Sequence, residues 1–67
     1  MILTTQIYAA GIRIDYAFNT KTDVHSVHFV GGDRRGVRGS APQALMALVP
    51  YRAENSDVRE LIAWLAR

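Results

Sequence analysis

Cysteine is absent from this 67-residue chain. That removes a disulfide framework, a thiolate nucleophile and any cysteine-ligated zinc or iron–sulfur site. Long apolar runs are missing as well, and no window approaches the ~20 consecutive apolar residues of a membrane span. The stretch Met1 to Ala10 is interrupted by Thr4, Thr5 and Gln6 and holds no basic residue, so it is not expected to act as a signal peptide. Nor does charge of one sign dominate, since eight basic and six acidic residues leave a net +2. These absences point to a cytoplasmic protein without a membrane partner, because a secreted domain of this size usually carries disulfides.

What is present is the composition of a folded protein, with 49% hydrophobic and 21% charged residues. A chain near 60 residues hides only ~60% of the surface it exposes when unfolded. One small α+β domain over residues 1–67 is therefore expected, held by packing and assisted by self-association.

Ile12, Ile14, Tyr16 and Phe18 alternate with Arg13, Asp15, Ala17 and Asn19, the mark of a half-buried strand. Ile2 to Tyr8 is β-branched and aromatic, which predicts a second strand. Gly11 supplies the permissive backbone for a hairpin turn between them, with one long strand bent at a glycine bulge as the alternative over residues 2–18. Polar Asn19 to Asp23 reads as a loop, and Val24 to Val30 as a third strand. Gly31 to Gly39 holds four of the five glycines and reads as a loop throughout.

Ser40-Ala41-Pro42-Gln43 has the form of a capping box, with proline in the first turn where its missing N–H costs nothing. A helix is expected from Ala41, burying Leu45, Leu48 and Val49 and discouraged from continuing by Pro50. A second helix, capped by Asn55 or Ser56, follows from Val58, Leu61, Ile62 and Leu65 at i, i+3, i+4, i+7. The expected fold class is α+β: a three-stranded antiparallel β-meander followed by two short helices packed on one face, β-β-β-α-α.

Chemistry-bearing constellations are sparse. His25 and His28 lie three apart on a strand, so their rings point to opposite faces and cannot converge on one metal ion. Asp15, Asp23, Asp33, Glu54, Asp57 and Glu60 are scattered, each with a local role; Asp15 is expected to pair across the strands with a basic neighbour. Ser26, Ser40 and Ser56 lack a nucleophile-elbow context, and Ser40 and Ser56 read as caps. Enzymatic activity is not expected, nor is a cofactor, a metal or any catalytic residue.

The segment from Gly31 to Gly39 stands out. Arg34, Arg35 and Arg38 set against Asp33 account for the whole net charge, because the other five basic and five acidic residues cancel. It precedes a helix start, where free N–H groups and the dipole favour an anion, and guanidinium forks suit phosphate or carboxylate. Gly31 to Gly36 has the spacing of a P-loop, yet Val37-Arg38 follows where Lys-Ser or Lys-Thr is needed. Gly36-Val37-Arg38-Gly39 has the G-x-x-G form of KH domains, whose loop joins two helices, whereas this one follows a strand.

Candidate partner- or phosphate-binding residues are thus Arg34, Arg35, Gly36, Arg38, Gly39 and Ser40, with Tyr51, Arg52 and Trp64 as interface anchors. Three phosphate contacts give a salt slope of only about −2.7 on duplex DNA. That favours docking on a larger protein or nucleoprotein complex, in the manner of a phage or mobile-element inhibitor of a host defence complex. The alternative is direct nucleic-acid binding by a homodimer that pairs two arginine loops. A third reading is a structural subunit whose exposed apolar surface is buried in self-assembly.

Overall fold

Alternating apolar residues make strands that pair into one antiparallel sheet, and two amphipathic helices close its apolar face. The computed structural model describes residues 1–32 and 34–67. The sheet runs in sequence order through β1 (Ile2–Ala9), β2 (Ile12–Asn19), β3 (Val24–Val30) and β4 (Val37–Gly39). The helices are α1 (Ala41–Leu48) and α2 (Ser56–Leu65), joined through a 3₁₀ turn at Val49–Tyr51.

The α+β class is as expected, but the sheet has four strands rather than three. Val37–Gly39 pairs with β3, Val27 opposite Val37 and His25 opposite Gly39. A triplet that follows Gly36 and ends on Gly39 is too short to read as a strand by itself, Val37 being its one strand former, and the free edge of β3 supplies the ladder it needs.

The hairpin of β1 and β2 is closed by the two residues between the Ala9–Ile12 pair. Ala10 (φ 52°) and Gly11 (φ 77°) both have positive φ, the signature of a type I′ turn whose twist matches the strands. A bent single strand is thereby excluded. The β2–β3 connection is the turn Thr20 to Asp23, where Asn19 Oδ1 accepts from the Lys21 N–H at 3.0 Å. Asp23 takes φ 57° before β3 begins.

Register sorts the side chains by face. Ile7 stands beside Ile14 and Phe29, and Tyr16 beside Val27, all buried on the inner face. Ala44, Ala47 and Leu48 of α1 and Val58 and Leu65 of α2 complete the core. Fully burying Ile14 or Leu48 contributes about 1.5–3 kcal/mol each.

The inward stripe of α1 is not the expected one. Ala44 and Ala47 are buried with Leu48, while Leu45 and Val49 are half-buried. Two small residues on the sheet side let the helix backbone approach β3 and β4, with which it packs, and turn the bulkier Leu45 toward the flank. Ser40 is the N-cap, and its N–H donates to Gln43 Oε1 at 2.7 Å. This is the returning half of the capping box. A Cβ on Gly39 would collide with Gln43 Oε1, so the glycine makes room for the cap. Asn55 rather than Ser56 caps α2, its Oδ1 accepting from the Asp57 N–H at 2.6 Å. The Asn55 Nδ2 also donates to the Tyr8 carbonyl at 2.7 Å, tying α2 to β1.

Candidate functional site

The pleat of β3 and β4 divides the arginines that adjoin in sequence. Arg38 lies within β4 opposite Ser26, on the sheet face that carries no helix. Arg34 belongs to the helix side. Its guanidinium carbon stands 5.5 Å from the Phe29 ring centroid and 5.5 Å from that of Tyr51, over two rings tilted by 31° with centroids 5.4 Å apart. Such a cation–π seat holds the side chain against the core. Arg35, between them, is exposed. The three guanidinium groups therefore do not converge: Arg34 and Arg38 serve opposite faces, and Arg38 issues from a strand rather than a loop. Among the described residues none of the three pairs with a carboxylate. Asp33, counted in the charge of this segment, lies outside the described residues.

Gly36 brings the chain close to β3, and a Cβ there would stand 3.0 Å from the Val27 carbonyl and 3.5 Å from His28 Nδ1. Gly39 and Ser40 are consumed by the start of α1. Tyr51 lies half-buried beneath Arg34, and Arg52 is exposed, its carbonyl accepting from Arg59 Nη1 at 3.0 Å.

The two histidines part as the strand period requires. His25 is buried on the inner face, and His28 is exposed on the outer one. Tyr16 Oη and His25 Nδ1 share a hydrogen bond of 2.6 Å. Phe18 stacks on the imidazole at 4.2 Å with an 8° interplanar angle, and Trp64 meets Tyr16, Phe18 and His25 edge-on. Burial pushes the Tyr16 phenol above its ordinary 10.0. Sequence reading missed this cluster. Tyr16, Phe18 and His25 share a face only through the register, Phe18 opposite His25 and Tyr16 opposite Val27. Trp64, placed at the border of the α2 stripe, closes the cluster while remaining 38% exposed.

On the outer face, Arg13, Asp15 and Ser26 are half-buried and His28 is exposed. Arg13 Nε and Asp15 Oδ1 stand 3.0 Å apart as an ion pair, and the one hydrogen bond between the two side chains runs from Arg13 Nη2 to Asp15 Oδ2 at 3.2 Å. This pair is within one strand, two residues apart, rather than across strands as expected. Gln6 and His28 are the lateral neighbours of Asp15. A shallow hollow of about 540 Å³ is lined by Gln6, Asp15, Ser26 and His28 among others. A second, of about 240 Å³, lies between Ser26, Arg38, Val24 and Ile2.

Ser26, His28 and Asp15 share this face, yet no hydrogen bond links them and Asp15 is committed to Arg13. They do not make a nucleophile relay, which requires a hydrogen-bonded chain from nucleophile to base to orienting carboxylate. Among the described residues no group of three His, Asp or Glu side chains is placed to hold a metal ion, and no helix is long and apolar enough to cross a membrane.

Taken together, the molecule belongs to the α+β class in which an antiparallel sheet is helix-covered on one face and open on the other. Comparison of the chain with protein-family models, with curated proteins and with solved structures finds no match.

Proposed function

We propose that the protein is a small non-enzymatic binding module that docks on an acidic surface of a larger protein or nucleoprotein partner through the open sheet face. The observation that supports this reading is the uncovered face itself. Arg38 stands there without an acidic partner among the described residues, opposite Ser26 and diagonal to His28, and Arg35 is exposed three residues before it in the chain. An antiparallel sheet tolerates one solvated face, and a pleated surface offers planar guanidinium contacts to carboxylates or phosphates. Acting by occupancy, such a module would inhibit its partner, as phage and mobile-element accessory proteins do. Arg34, itself exposed, stands over Phe29 and Tyr51 on the helix side and is not part of this surface.

The test is the double substitution Arg35→Ala/Arg38→Ala, with capture of partners from lysate at physiological salt as the readout. Stability stays within about 0.5 kcal/mol of the wild type, since both side chains are exposed, while capture is lost. Equal recovery of the same proteins by the variant refutes the reading. Duplex DNA and RNA on a sizing column at two salt concentrations separate the nucleic-acid alternative, because a phosphate-driven complex dissolves as salt rises.

A further inference from the structure

The two edges of the sheet are built differently. β4 is short and bears Arg38, two devices that discourage strand addition. β1 spans Ile2–Ala9 with no charge, no proline and no bulge. Its backbone polarity follows from the hairpin. The Thr20 N–H donates to the Met1 carbonyl at 2.9 Å, so that pair is hydrogen-bonded. Antiparallel alternation then directs the amides of Leu3, Thr5 and Ile7 toward β2 and those of Ile2, Thr4 and Gln6 outward. The outward carbonyl of Tyr8 is already taken by Asn55. The unpaired edge is therefore the segment from Ile2 to Gln6, and its centre is Thr4.

We infer that this edge pairs with a second copy of the chain, antiparallel and about a twofold axis at Thr4, making one continuous sheet across two molecules. In that register Thr4 faces the partner's Thr4, Ile2 faces the partner's Gln6, and Leu3 faces the partner's Thr5. Only residues that project to the same face become neighbours, as an isologous contact requires. A second observation supports this occupant. Leu3, Thr4 and Thr5 line an apolar hollow of about 250 Å³ with Tyr16, Leu61 and Trp64. The pairing brings the partner's Leu3 opposite Thr5, beside that hollow. Leu3 at 43% and Ile2 at 62% exposure are covered in the same step. The strand itself carries no charged side chain, because residues 1–12 contain no Asp, Glu, Lys or Arg; the charges nearest it, Asp57, Glu60 and Arg67, are of both signs and stand on α2 and just past its end, beside Thr5 and Ile7. This inference is independent of the proposed docking function, which uses the outer face and not the edge.

The experiment is sedimentation of the intact protein over a concentration series, with Thr4→Lys and Thr4→Glu. The wild type dimerises. Each charged variant sets like charges directly opposite one another and weakens association by about tenfold or more, and an equimolar mixture of the two restores a dimer. Tyr8→Lys, outside the paired segment, leaves the dimer intact. Hydrogen exchange gives a reading that needs no variant: protection of the Thr4 and Gln6 amides rises with protein concentration. A wild type that stays monomeric overturns the inference. So does a dimer that survives both charged substitutions, a mixture that fails to reassociate, or exchange at Thr4 and Gln6 that is independent of concentration.

Discussion

Ala10 holds a conformation that an L-residue with a Cβ disfavours. Its φ of 52° and that of Gly11 at 77° are what a two-residue type I′ turn demands. The left-handed region costs a residue such as alanine roughly 1–2 kcal/mol. Asparagine tolerates it and is preferred before glycine in this turn. Because Ala10 is exposed, replacing it removes no packing, and Ala10→Asn isolates the backbone contribution. The expected gain is about 0.5–1 kcal/mol, which for so small a domain corresponds to a midpoint about 2–8 °C higher.

Ala10→Gly relieves the same strain. It also enlarges the entropy of the unfolded chain by about 0.4–1 kcal/mol and comes out near neutral. Ala10→Val, β-branched and worse suited to positive φ, loses about 1 kcal/mol. Thermal melts at one fixed protein concentration read the series, since association would otherwise move the midpoint. The ordering Asn above Gly and Ala, with Val last, is the result that matters. An Asn variant no more stable than the wild type, or a Val variant equal to it, would mean that residue 10 is not in a positive-φ turn.

Two further outcomes follow from buried or bridging groups. Asn55→Ala removes both the cap on Asp57 and the bond to Tyr8 and costs about 1–2 kcal/mol. Asn55→Ser keeps a capping oxygen, loses the donor that reaches Tyr8 and recovers about half of that in chemical denaturation. Tyr16 makes stability fall at alkaline pH. Below pH 10 the phenol is protonated in both states, but above it the unfolded chain ionises first while burial holds the folded phenol protonated. The denaturation midpoint should therefore decline from about pH 10 upward until the folded phenol ionises. Tyr16→Phe should flatten that decline, and an unchanged slope would place its source elsewhere.

Much of the fold was legible because the signals are local. The period-two alternation from Ile12 to Phe18 exposes its own buried face, and the opposite directions of His25 and His28 follow from counting along one strand. The glycine after Ala10 and the capping residues before Ala41 and Ser56 state where elements turn or begin. The site was less legible. Arg34, Arg35 and Arg38 adjoin in sequence and carry the net charge, which invites reading them as one cluster. Their separation depends on β4 pairing with β3 and on Phe29 meeting Tyr51 across more than twenty residues.

The division between the two has one physical source. Periodicity, capping and turn chemistry act within a few residues, so the order of the first three strands and the two helices, the inward face of β2 and the capping box at Ser40 could be derived from the chain alone. Register, helix docking and aromatic stacking are contacts between distant segments. They made a strand of Val37–Gly39, drew Ala44 and Ala47 inward in place of Leu45, and gathered Trp64 with Phe18 and His25. They also left β1 with an unpaired edge, because a ladder that ends at β1 can be recognised only once every other strand has found its partner.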